Sequence, residues 1–195
     1  VRAHIAAIPG PVTATFRVNA GHLAADHWTH DLVQGGGRLL GEGCHFIDTL
    51  RYLVGHQIET ISAVAHGSPD MPVQAQDCLL VNLTFADGSI GQVTYVSQGS
   101  PKVAKERLEI FGDGGRSAIM DNYRSLELYT GSKIKKVTAK SPDKGHQAEV
   151  SSFLSSVRGH TDAVPLSEIA NVSYATLAAV RSLETGGTVR LTQVD

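Results

Sequence analysis

The chain has 195 residues, 42% of them hydrophobic and 18% charged, and a formal net charge of −2. A chain of this length makes one domain and buries roughly 70% of its unfolded surface without disulfide or metal staples. The near-neutral charge excludes a basic nucleic-acid surface, no apolar run approaches the ~18 residues of a membrane span, and the N-terminus lacks a signal-peptide core.

The chain opens at Val1 on a linker or short helix, as expected of a domain excised from a longer protein. Val12, Ala14, Phe16 and Val18 then alternate with Thr13, Thr15, Arg17 and Asn19, which predicts a half-buried strand. Residues 20–34 are polar and loop-like, with His22, Asp26, His27, Trp28, His30 and Asp31. Next comes GGGRLLGEGCHFIDTLRYLVG, residues 35–55. Its Phe46, Leu50, Leu53 and Val54 recur at helical spacing, so a helix is expected to start near His45 and to stop at Gly55.

Most of the remainder reads as sheet. Ile58–Ala65 is a strand candidate; Leu79, Val81, Leu83 and Phe85 alternate with polar neighbours, and Asp87-Gly88 turns the chain into Ile90–Val96. Further strands are expected at Arg107–Phe111, Arg116–Met120, Ser125–Tyr129, Ile134–Thr138 and Thr188–Leu191. A second helix follows Lys144-Gly145-His146, with Val150, Phe153, Leu154 and Val157 as its stripe. A third spans about Ser167–Thr185, capped by Ser167 and stopped by Gly186-Gly187. The pattern predicts an α+β domain: an open, mostly antiparallel β-sheet with helices packed on one face, the other face solvated or paired.

The chemistry concentrates around the glycine run. His45 and Asp48 are three apart and lie on neighbouring parts of one helix face, with Glu42 one turn earlier. If this is the first helical turn, its unpaired N–H groups favour a neutral, proton-accepting imidazole, while Glu42 or Asp48 pushes the other way. The plainer alternative is a glycine turn followed by a hydrogen-bonded core histidine. Trp28 in the preceding loop and Asn19 just before it are candidates for the wall of a substrate pocket, by stacking and by hydrogen bonding, against the alternative of a solvated loop with one anchoring Trp. Arg38 and Tyr95 are further pocket candidates, and Cys44 is a small buried filler rather than a nucleophile. The two cysteines, Cys44 and Cys78, fit a reducing compartment, with a cytoplasmic location expected, or mere indifference to redox state. The loop histidines lack the ligand set of a zinc site, so no metal is expected.

The pattern GGG-x-L-x(3)-G-x-H-x(2)-D-x(4)-L-x-G, read from Gly35 to Gly55, resembles the C-terminal domain signature of the Gfo/Idh/MocA oxidoreductases. Residues 16–22 (Phe16 to His22) and Asp26-His27-Trp28 resemble a narrower group of them linked to sugar metabolism. The resemblance implies a glyceraldehyde-3-phosphate-dehydrogenase-like C-terminal domain that binds substrate and oligomerises through its open sheet face. It implies that His45 works on a substrate hydroxyl beside the nicotinamide of NAD or NADP and that Asp48 helps hold the substrate, a sugar, sugar nucleotide or cyclitol. Many relatives carry an aspartate four residues before the histidine; here that position is Gly41, and the carboxylate is Glu42.

The family's dinucleotide-binding (Rossmann) domain, with its Gly-rich loop and Glu-Lys-Pro lysine, has no counterpart in this sequence. Gly35-Gly36-Gly37 follows no hydrophobic strand, and Phe111-Gly112-Asp113-Gly114-Gly115 lies between two strand-like runs, so neither is a dinucleotide fingerprint. The domain by itself is therefore expected to be inactive, and a non-catalytic polyol-binding or oligomerisation module is the alternative reading.

Overall fold

The computed structural model describes residues 1–159 and 164–191. A single nine-stranded sheet runs through it: β1 (Thr13–Asn19), β2 (Ile58–His66), β3 (Cys78–Phe85), β4 (Ile90–Val96), β5 (Glu106–Gly112), β6 (Arg116–Asp121), β7 (Ser125–Thr130), β8 (Lys133–Thr138) and β9 (Val189–Arg190). The spatial order is β8-β7-β6-β5-β1-β4-β3-β2-β9. Every neighbouring pair is antiparallel except β1 with β4, which run parallel from Thr13↔Ile90 to Asn19↔Val96.

That one parallel pair shapes the site. Because β1 lies between β4 and β5, the β4–β5 connection must arch over the C-terminal end of β1. The arch is residues 97–105, and Asn19 is the strand-end residue beneath it.

Alternation sets the two faces. Ala14, Phe16 and Val18 of β1, Val81 and Leu83 of β3, Val93 of β4 and Ile110 of β5 point into the core. Against them packs α2 (Cys44–Val54) through Phe46, Ile47, Leu50 and Leu53, and α4 (Leu166–Thr185) through Val172, Ala175, Ala179 and Leu183. The opposite face is a lattice of short polar side chains, with Thr60 bonded to Thr84 and Gln92 to Asn82. The α+β expectation of a mostly antiparallel sheet with helices on one face therefore holds.

Three local expectations need correction. The helix bearing His45 does not begin there: the chain is helical from Gly37, passes through a wide π turn at Leu39–Gly43, and continues without a break into α2, ending at Gly55 with φ of 87°. His45 is therefore more than two turns inside a helix, beyond the field of its unpaired N–H groups. Ser167 does not cap α4; the helix starts at Leu166 after Pro165, whose fixed φ suits a helix start, and no side chain caps it. Finally, α3 (His146–Val157) forms where its stripe predicts, yet none of its residues is buried, and Val150, Phe153, Leu154 and Val157 all face outward. Helical periodicity marks an apolar face without saying what covers it.

Candidate active site

The start of the long helix is held by its glycines. A Cβ on Gly37 would lie 2.3 Å from the Gln74 carbonyl oxygen, and one on Gly35 would lie 2.5 Å from Thr29 Cα. These glycines are thus consumed by backbone-to-backbone packing on Thr29 and Gln74, just ahead of the π turn. π turns inside helices widen the backbone locally and occur often at functional sites.

From this platform the helix presents its polar residues in two directions. Glu42 points to the sheet: its Oε2 accepts a 2.5 Å hydrogen bond from the Tyr95 hydroxyl and its Oε1 a 2.6 Å bond from Lys105 Nζ. Burial pushes the Glu42 carboxyl up, but these two donors outweigh it and hold it below the ordinary carboxylate value. The Tyr95 hydroxyl is pushed far up by burial and by that carboxylate, so it stays a donor.

His45 and Asp48, both exposed, point to a groove of about 490 Å³ between α2 and α4. Leu40 of the π turn and Cys44 complete the wall on that side, and Ile169, Val172 and Leu177 with Ser173 and Thr176 make the α4 wall. Partial burial raises the Asp48 carboxyl, against the pull of Arg51 and His45 nearby. Arg51 is buried and pairs with Glu168 at 2.5 Å, bracing α2 against the first turn of α4. Burial also pushes the Cys44 thiol up, and its Sγ–H donates to the Leu40 carbonyl at 3.3 Å, so it is a poor thiolate.

A second cavity, of about 980 Å³, opens beside the arch at the end of β1; Asn19, His22, Lys102, Lys105 and Asn122 lie on its walls. The arch is tied down by β1. The Asn19 N–H donates to the Lys105 carbonyl at 2.7 Å, and its side-chain amide donates to the carbonyls of Ser100 (2.8 Å) and Val103 (3.2 Å). Arg17 Nη1 donates to the Ala104 carbonyl.

The expected site residues thus divide by partner. His45 and Asp48 come together on one groove. Glu42 is drawn onto Tyr95 and Lys105. The Asn19 amide donors are spent on the arch, and Arg38 is buried, giving Nη2 to the Gly21 carbonyl at 2.7 Å and lying over the Tyr95 ring. Trp28 stands on a short 3-10 turn (Trp28–His30), 60% exposed, and lines neither cavity. His30 bonds Asp77 at 2.9 Å, and the described residues contain no group of three or more potential metal ligands.

Lys105 is the residue that sequence reasoning missed. It lies 63 positions from Glu42, and the parallel β1–β4 pairing, which carries the arch over the end of β1, lets its lysine reach the helix. No spacing rule along the chain carries that signal.

The two glycine clusters serve packing and turns. Gly35 and Gly37 are packed as above, and Gly112–Gly115 belongs to the tight β5–β6 hairpin. No described helix is long and apolar enough to cross a membrane.

The model of the GFO/IDH/MocA C-terminal domain matches residues 10–118. Among solved structures, levoglucosan dehydrogenase in complex with NADH and levoglucosan is similar over 99% of this chain and 62% of its own, with TM-score 0.78 and 20% identity. The aldose-aldose oxidoreductase from Caulobacter crescentus complexed with glycerol is similar over 93% of this chain and 56% of its own, with TM-score 0.75 and 18% identity. GenD2 from gentamicin A biosynthesis, in complex with NAD, is similar over 98% and 60%, with TM-score 0.73 and 23% identity. At these identities the likeness is one of fold, and the chain spans about six-tenths of the length of these structures. No curated protein matches the sequence.

Proposed function

The chain belongs to the GFO/IDH/MocA C-terminal domain family, and from that premise we propose that it is the substrate-binding half of an NAD(P)-dependent oxidoreductase acting on a hydroxyl of a sugar, sugar nucleotide or cyclitol. The observation that carries the reading is the pairing of His45 with Asp48 on one exposed helix face above the α2–α4 groove. The ligands of similar structures, levoglucosan with NADH in one, glycerol in a second and NAD in a third, support the same substrate class.

In this reading His45 takes the proton of the substrate hydroxyl, because an alcohol cannot become a carbonyl while its O–H remains. Asp48 holds the imidazole or a neighbouring hydroxyl. The α4 wall, with Val172 and Leu177, limits water beside the reacting carbon. Nicotinamide supplies hydride chemistry when bound, but no described glycine loop fits its diphosphate, so its binding falls to a Rossmann domain of the parent protein. The domain by itself is then inactive. The open sheet face, where Val64, Ile90 and Phe111 are exposed among threonines and asparagines, is the surface for homo-oligomerisation.

The test is turnover by the parent protein with NAD or NADP across a panel of hexoses, UDP-sugars and inositols. Nicotinamide reduction with one or more of them supports the proposal. Its absence with all of them contradicts it.

A further inference from the structure

The two cavities differ in charge. Among the described residues, the wall of the α2–α4 groove carries one carboxylate, Asp48, and no lysine or arginine. The wall of the arch cavity carries two lysines, Lys102 and Lys105, together with His22, and no carboxylate. The whole chain has a net charge of −2, so this cationic concavity departs from the average surface. A concave wall of one sign focuses the field and raises the local concentration of the opposite ion.

The two lysines are differently committed. The lysine ion pairs formed among the described residues involve Lys105, Lys136 and Lys144, so the Lys102 ammonium is unpaired there. Lys105 spends one of its three N–H donors on Glu42 and keeps two. The Glu42 charge offsets part of its own, which leaves Lys102 as the principal charge of the cavity.

The backbone that bears Lys102 is held in place. The Asn19 amide donates to the carbonyls of Ser100 and Val103, on either side of Lys102. Inside that span the Val103 N–H donates to the Ser100 carbonyl at 3.0 Å and the Lys102 N–H to Ser100 Oγ at 3.3 Å. Lys102 thus belongs to a tight turn fixed by a buried side chain of the strand end. Backbone that is already ordered loses little freedom when a ligand binds.

Size and the uncharged lining narrow the ligand. At about 980 Å³ the cavity is large for a bare phosphate and lies at the upper end of small-molecule sites, roughly 300–1,000 Å³. Its walls also carry the side-chain amides of Gln98 and Asn122, which give and accept hydrogen bonds as hydroxyls do. The matching ligand has an anionic group for the lysines and hydroxyls for the amides.

From this match we infer that the arch cavity is a second binding site, distinct from the His45 groove, and that it takes a small polyhydroxylated anion: a sugar phosphate or a sugar acid. Phosphate and carboxylate offer an ammonium the same charge-assisted hydrogen bond. The inference stands independently of the function proposed above.

The test is calorimetric titration of the parent protein with glucose 6-phosphate, gluconate and glucose. At least one of the two anions is expected to bind about 10-fold or more tightly than glucose, and the tighter of the two tells phosphate from carboxylate. Its affinity is expected to fall several-fold as ionic strength rises from about 0.05 to about 0.5 M. Lys102→Met is expected to weaken it about 10-fold and Lys102→Glu further. Lys102 is exposed, so neither variant is expected to disturb the fold. Glucose binding as tightly as both anions overturns the inference. So does anion binding that Lys102→Glu leaves unchanged, because the ligand then sits elsewhere in the parent protein.

Discussion

Arg51 on α2 and Glu168 on α4 face each other at 2.5 Å, and the two are unequally buried: the arginine side chain is 8% exposed, the glutamate 35%. The pair braces the two helices that wall the His45 groove. Removing the carboxylate leaves a buried guanidinium unpaired, whereas removing the arginine leaves a carboxylate that water can reach. Glu168→Gln is therefore expected to cost about 2 kcal/mol in urea unfolding, and Arg51→Met less. A larger loss from Arg51→Met would mean that packing of the arginine stem outweighs the charge.

Two glycines with left-handed backbone should respond differently. Gly55 (φ 87°) would meet only the flexible Arg2 side chain, so Gly55→Ala is expected to cost about 1 kcal/mol of conformational strain. Gly37 (φ 83°) would drive a Cβ into the Gln74 carbonyl. Gly37→Ala is expected to cost about 2–4 kcal/mol, because neither backbone can move without dislodging the π turn. Equal thermal shifts for the two would argue against this close approach.

Exposure separates the phenylalanines. Phe16 is fully buried beneath α2, in contact with Phe46, while Phe153 on α3 is 61% exposed. Phe16→Ala is expected to destabilise by about 3–5 kcal/mol and Phe153→Ala by no more than about 0.5 kcal/mol. A comparable loss for Phe153→Ala would show that α3 is packed after all.

The sheet was legible in the sequence because one of its faces is buried. The alternation of Val12–Asn19, Leu79–Phe85 and Ile90–Val96, with a turn at Asp87-Gly88, predicts β1, β3 and β4 almost to the residue. His45 and Asp48 were legible as a pair because helical spacing fixes their common face. The helix start was not: glycines normally punctuate helices, and here tertiary contacts of Gly35 and Gly37 with Thr29 and Gln74 override that preference. Nor was the partner of Glu42, since Tyr95 and Lys105 reach it through strand order rather than through chain proximity.

The two carboxylates near the site should answer pH in opposite senses. Glu42, held below its ordinary value of 4.5 in the folded state, contributes stability that is fully present above 4.5 and is lost as pH falls through the folded value. Asp48, raised above 3.8 chiefly by burial, favours the fold when protonated; that contribution is lost as pH rises through the folded value, so its charge is a cost at neutral pH. Thermal melts should accordingly show Glu42→Gln below wild type at neutral pH, with the gap closing in acid. Asp48→Asn should melt slightly above wild type at neutral pH and converge with it well below pH 3.8. Asp48→Asn melting below wild type at neutral pH would contradict the assignment.

The central claim is that His45 moves the substrate proton. The measurement is steady-state turnover of the parent protein and its His45→Ala variant on the same polyol, followed by nicotinamide absorbance. In the variant kcat is expected to fall roughly 100-fold or more with KM little changed. Undiminished kcat in the variant would contradict it and make His45 a structural residue of α2.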